Sequence, residues 1–182
     1  MGLVVSGERT VVDKLYDDFN ELVSFLKKGD EVSFCNLAGE NFTKVLLLAA
    51  ASYFEDRLVK ELLEFVSEVS KENKLLVELV KKKALDRQYH TFFDWKGKNA
   101  NQFFGLFGDS FKDFMKNEVE NDAELAEALR AFLEIGRERN RLVHQNFATF
   151  SLEKTVEEVY QSYQVALYFV ESIPDKLRQF SS

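Results

Sequence analysis

Apolar residues recur at helical spacing along most of this chain, and almost nothing interrupts them: one proline and eight glycines are spread over 182 residues. A sheet-rich chain needs frequent turns, and turns draw heavily on Gly and Pro. Long helices are the natural reading. Val11, Val12, Leu15, Phe19, Leu22, Val23 and Leu26 keep the helical period and predict a first helix from about Thr10 to Lys28, stopped by Gly29. A second helix is expected from near Phe42 or Thr43 to about Ser70. Its run Val45 to Ala51 is apolar all round, the pattern of a deeply buried helix. Shorter helical segments follow at Leu75 to about Asp86 and Asp109 to Val119. Another begins near Asn121 or Asp122 and carries Leu125, Leu129, Phe132, Leu133 and Ile135. The last is expected from Ser151, a good N-cap, to Ser172, with Pro174 beyond its end.

Residues 89–108 break this rhythm. Gly97, Gly105 and Gly108 stand among Phe92, Phe93, Trp95, Phe103, Phe104 and Phe107, with no clear period. Aromatic side chains plugging a core between helices are the simplest account of such a stretch. The sum is an all-α chain: one domain over residues 1–182, a compact bundle of about five or six helices around one core, without repeats or strands.

Composition narrows the function. Hydrophobic residues make up 46%, enough to fill a core and to exclude disorder for most of the chain. A net charge of −7 excludes a general electrostatic binder of duplex DNA, which needs a broad basic face. The single cysteine, Cys35, allows neither an internal disulfide nor a thiolate zinc cluster, and fits a reducing, cytoplasmic setting. No apolar run approaches the roughly 18 residues that span a bilayer, and no basic segment followed by an apolar one suggests a signal peptide. Residues 1–6 match the bare N-myristoylation pattern, which is loose enough to arise by chance.

Most enzyme signatures are missing. The glycines near Gly105 fit neither a dinucleotide-binding nor a P-loop pattern. His90 and His144, far apart and without cysteine support, make a poor metal site, so neither metal nor other cofactor is expected. One constellation stands out, between Gly136 and Phe150. Within an acidic protein, Arg137, Arg139 and Arg141 crowd just before His144. Arg offers a fixed charge and a planar fork for phosphate oxygens. His moves protons near neutral pH. Together they suffice, without metal, for attack of an RNA 2′-hydroxyl on its own phosphodiester. On a continuous helix Arg139 and His144 are about 500° apart, and so point roughly 140° away from each other. They converge only if the helix ends or distorts between them, or if a two-fold mate supplies its own copy. A helix C-terminus favoured by cations is the plain alternative for the same residues.

Arg139, Asn140 and His144 resemble the R-x4–6-H signature of HEPN domains, with a polar residue directly after the Arg. The stretches Phe92 to Gly108 and Arg139 to Phe150 look like the RiboL-PSP type of HEPN, and the similarity covers most of the chain after about residue 40. The resemblance implies a compact all-α fold and a metal-independent endoribonuclease acting on single-stranded or looped RNA. It also implies a homodimer with the cleft at its interface, often within toxin–antitoxin or antiphage systems. An antitoxin or defence-system partner would follow. Arg139 and His144 would be the catalytic pair and Asn140 the residue orienting them. Arg137 and Arg141 would help hold substrate. The family's long second helix often turns an acidic or polar residue to the same cleft; here Glu55, or Tyr53, takes that place.

Some HEPN toxins carry a Tyr two residues after the motif His, where a nucleotidyltransferase antitoxin modifies them. Asn146 stands there, so control by that route is not expected. His90, just before the aromatic stretch, reads as structural, with a place along a substrate path as its alternative. Lys81, Lys82, Lys83, Arg87, Lys96 and Lys98 would guide a phosphate backbone, or would simply form a solvated face. The competing function is a non-catalytic HEPN-type module that binds nucleotide, RNA or a partner protein.

Overall fold

The computed structural model describes residues 9–181; the N-terminal acylation pattern lies outside them. Within that range the chain is helical and has no strand. The first helix, α1 (Val11–Lys28), starts where the sequence places it. The Thr10 hydroxyl accepts from the Asp13 amide while the Asp13 carboxylate accepts from the Thr10 amide, so two otherwise orphaned donors are satisfied together. Gly29 ends the helix, and Asp30, at φ 59°, turns the chain back.

The second helix, α2 (Val32–Val69), begins well before Phe42. Its first turns are largely exposed, so no apolar stripe announces them. No proline interrupts them, and the side chains of Asn41 and Thr43 bond back to the carbonyls of Leu37 and Gly39 inside the helix. The apolar run is buried on one side rather than all round: Leu46, Leu47 and Ala50 are enclosed, while Val45 is 40% exposed. Helices α1, α7 and α8 pack on α2 and leave that strip outside.

Helix α3 (Lys74–Val80) runs into one π turn at Lys81–Leu85, and Arg87, at φ 61°, redirects the chain. The aromatic segment holds two short helices, α4 (Tyr89–Phe92) and α5 (Asn101–Gly105). Phe92, Phe93, Phe103 and Phe104 are buried, as core-plugging predicts. Phe93 stacks on Phe103 at 4.8 Å between ring centroids and meets Phe132 of the following helix layer edge-on at 4.9 Å.

Helix α6 (Asp109–Asn121) leads to α7 (Ala123–His144), which Asp122 caps through the amides of Glu124 and Leu125. The last helix, α8 (Val156–Ser181), corrects two expectations. Ser151 does not cap it. Thr155 does, with Glu158 closing the reciprocal pair of hydrogen bonds. Nor does Pro174 follow its end. Pro174 is buried inside the helix, and the turns after it are held by Leu177 in the core and by Arg178, whose guanidinium meets both carboxylate oxygens of Glu68 at 2.9 Å.

Five long helices, α1, α2, α6, α7 and α8, carry the bundle, and α3, α4 and α5 are short. Helix α8 lies against both α2 and α7, and the buried side chains from Val12 to Leu177 form one cluster. No helix among the described residues is long and apolar enough to cross a membrane.

Candidate active site

Helix α7 buries Phe132, Ile135 and Gly136. Arg139, one turn further on, keeps the same heading. Its side chain reaches the rim of a cavity of about 350 Å³ between α2, α7 and the start of the aromatic segment. Glu55 comes from α2, Tyr89 and His90 from α4, Trp95 from the loop beyond it, and Asn140 from α7. Gly136 makes this arrangement possible. A Cβ there would stand 1.9 Å from the Trp95 ring, so the indole lies directly against the helix backbone. The Trp95 Nε1–H donates to the His90 carbonyl at 3.2 Å and fixes the ring's other end.

The electrostatics of this cavity are uneven. Arg139 Nη1 donates to Asn140 Oδ1 at 3.1 Å. Among the described residues neither Arg139 nor Glu55 has an ion-pair partner. Tyr89, 9% exposed, lines the same cavity. Burial pushes its hydroxyl far above the usual phenol range; the Glu55 carboxylate adds to that push and the Arg139 guanidinium opposes it. Tyr89 therefore stays a neutral donor.

His144 lies elsewhere. It is the last residue of α7 and is exposed. Arg137, Asn140 and Arg141 precede it by seven, four and three positions, which sets all four side chains on one side of the helix. They line a second, wider cavity of about 700 Å³ together with Trp95 and Gln102. Trp95 and Asn140 border both cavities and form the partition. Glu138 bonds Arg141 at 2.7 Å and sits 3.7 Å from Arg137. The Arg141 guanidinium carbon is also 5.4 Å from the Phe150 ring centroid. Of the three arginines, Arg139 alone makes no ion pair among the described residues.

The chain beyond His144 is anchored. Asn146 accepts from the Ala148 amide through its side chain and from the Thr149 and Phe150 amides through its carbonyl. The buried Lys44 ammonium donates to the Phe147 carbonyl at 2.9 Å and lies 5.1 Å from the Phe147 ring centroid.

The structure thus joins Arg139, Asn140 and Glu55 at one cavity, and His144, Arg137, Arg141 and Asn140 at another. Tyr53 belongs to neither. Two positions from Glu55, it points about 200° round α2, with its ring 5.8 Å from Tyr163, and lines a groove with Val11 and Arg57. His90 and Arg87, for which the sequence left a substrate path and backbone guidance open beside a structural role and a solvated face, border the Arg139 cavity. Their position at the entrance of the aromatic stretch, whose first rings meet α7, is the local signal that carries that alternative. Among the described residues no group of three or more His, Cys, Asp or Glu side chains is set to hold a metal.

No curated protein and no solved structure matches the chain. The family model of RiboL-PSP-HEPN matches residues 13–179, a range that takes in both stretches carrying the resemblance. With that match spanning nearly the whole helical bundle, the chain belongs to the RiboL-PSP-HEPN family.

Proposed function

We propose that this chain is a metal-independent endoribonuclease that cuts single-stranded or looped RNA, with Arg139 and His144 as its catalytic pair in a homodimer. Family membership points to ribonuclease or nucleotide-binding function. One observation favours the nuclease: Arg139, free of carboxylate partners among the described residues, stands at a walled cavity on the same helix end that presents an exposed His144.

The chemistry needs only these groups. His144 takes the proton from a ribose 2′-hydroxyl as its oxygen attacks the adjacent phosphorus, and the bond to the 5′-oxygen breaks as that oxygen takes a proton from water. Arg139 stabilises the charge growing on the non-bridging oxygens. Asn140, bonded to Arg139, orients it. RNA whose backbone is free to bend lets the 2′-oxygen align with the leaving group. Because α7 is continuous to His144, the two side chains diverge within one copy. A two-fold mate would bring its His144 to this Arg139, making two composite sites from one motif. Such an enzyme suits toxin–antitoxin or antiphage defence, held in check by a partner protein.

The test is incubation of the protein and of His144→Ala with a mixed RNA pool in EDTA. Cleavage by the unaltered protein alone, leaving 2′,3′-cyclic phosphate ends, supports the reading; full activity in His144→Ala ends it. The separation of Arg139 from His144 favours a second reading, a non-catalytic module in which Arg139 grips a phosphate. RNA binding that is lost in Arg139→Ala, with no cleavage under any condition, would select it.

A further inference from the structure

The cavity beside Arg139 has chemistry that phosphodiester cleavage does not use. Its inner walls are the rings of Phe54, Tyr89, Trp95 and Phe132, and its polar groups include the Glu55 carboxylate and the Arg139 guanidinium. At about 350 Å³ it lies near the lower end of ligand pockets, a size for one planar group rather than a run of chain. Aromatic walls suit a nucleobase, since every base has a stacking face.

The polar groups discriminate among bases. An ionised carboxylate only accepts hydrogen bonds, and it takes two at once. Guanine alone presents two neighbouring donors, the N1–H and the 2-amino group, on its pairing edge. Uracil flanks its one N–H with carbonyl oxygens, and adenine and cytosine set a ring-nitrogen acceptor beside the amino group. Each of those would face the second carboxylate oxygen with a lone pair. On its other edge guanine offers O6 and N7, the acceptor pair that an arginine fork fits. Glu55 and Arg139 lack ion-pair partners among the described residues, so both are available to a ligand.

We propose that this cavity is a guanine subsite, with Glu55 reading the donor edge and the aromatic walls holding the ring. It selects a guanine next to the scissile phosphate. The inference rests on the ribonuclease reading only for what carries the base; the pocket's preference for guanine stands on its own geometry. Arg139 then serves the base or the phosphate according to the step. His144, beyond the Trp95 and Asn140 partition, is no part of the subsite.

The chain's single tryptophan is Trp95, so its fluorescence reports on this cavity directly. GMP, AMP, CMP, UMP and IMP are titrated into the full chain, with fluorescence and calorimetry read in parallel. GMP should quench saturably, with AMP, CMP and UMP at least about tenfold weaker. IMP, which lacks the 2-amino donor, should fall between. Glu55→Gln, the same size with one acceptor replaced by a donor, should lose about tenfold of the GMP preference without moving the thermal midpoint. Equal ranking of the nucleotides, silence in both readouts, or an undiminished preference in Glu55→Gln would each overturn the subsite. The same titration on His144→Ala separates the two readings. Guanine preference kept there, with RNA cut only by the unaltered protein beside guanine, supports both. RNA cut without regard to guanine removes the subsite and leaves the nuclease. Guanine selectivity with RNA never cut removes the nuclease and leaves a guanine-nucleotide site.

Discussion

Two faces of one helix end are built in different ways in this protein. On the inner face Arg139 shares a cavity with rings already packed into the core, a carboxylate from α2 and a histidine from α4. On the outer face His144 stands exposed beside two arginines that share Glu138. The inner face is built by burial: Gly136 admits Trp95, Trp95 bonds the His90 backbone, and the cavity is what remains. Surface charge arranges the outer face, and charge pairs in solvent hold little by themselves. A motif that reads as one unit in sequence is thus half enclosed and half open. The open half is where a second copy would have to contribute.

The sharpest test of that division mixes two inactive proteins. Arg139→Ala and His144→Ala should each lose RNA cleavage by about a hundredfold or more, the weight of a missing acid–base or charge-stabilising group. If each site joins the inner face of one copy to the outer face of the other, refolding the two variants together regenerates one intact site per mixed dimer. Random pairing should then restore about a quarter of the activity. Activity that stays at the level of the single variants would mean that both side chains act from the same chain, and the comparison of faces would lose its meaning.

Gly136→Ala attacks the inner face alone. Its Cβ would overlap the Trp95 ring, and neither a helix backbone nor an indole packed on Phe93 and Phe132 gives way easily. Overpacking of this kind costs about 1–3 kcal/mol. The thermal midpoint should drop by several degrees, with Trp95 fluorescence shifted as the ring is displaced outward. An unchanged midpoint and spectrum would show that the cavity wall yields freely and that the inner face is not rigid.

This contrast also marks what the sequence made legible. The helices with an apolar stripe and a cap were readable because period and cap chemistry are local: Thr10 with Asp13, and Asp122 before α7, are visible in a few residues. The early start of α2 was not, since its first turns are mostly exposed and show no stripe. Pro174 read as a stop because the lost hydrogen bond is a local penalty, while what outweighs it, Leu177 in the core and Arg178 on Glu68, is tertiary. The same limit explains the site. Arg139, Asn140 and His144 share one short run of sequence, and their divergence follows from helix geometry. Which α2 residue joins them depends on how α2 is rotated, and that turned Glu55 inward and Tyr53 toward Tyr163. His90 looked structural because nothing local ties it to Arg139; the fold of residues 89–108 does.

A smaller effect separates the outer face from the inner. Lys44 holds the chain just past His144 by its bond to the Phe147 carbonyl. Lys44→Met keeps the stem and removes the charge, at a loss of about 1 kcal/mol or less, because the freed carbonyl belongs to an exposed residue that water can serve. Hydrogen exchange should quicken at the Thr149 and Phe150 amides, while Trp95 fluorescence stays as it was. Faster exchange that extends to residues 89–95 would show that the two faces move as one body.

The last effect has no consequence at neutral pH and appears only in alkali. Burial and the Glu55 carboxylate hold the Tyr89 phenol well above its ordinary range, against the pull of Arg139. A tyrosine in the unfolded chain ionises near about 10. Above that pH the folded chain keeps a proton that the unfolded one releases, so the contribution of Tyr89 is intact below it and declines as pH rises further. A tyrosinate absorbance titration, with Tyr89→Phe subtracted, should place this phenol's ionisation at the unfolding transition and not with the exposed Tyr168. Glu55→Gln removes part of the upward push and should bring the ionisation down toward the ordinary range. Ionisation of Tyr89 alongside the exposed Tyr168, with the fold intact, would mean that water fills the inner cavity as readily as the outer one. The distinction between an enclosed Arg139 and an open His144 would then not survive in solution.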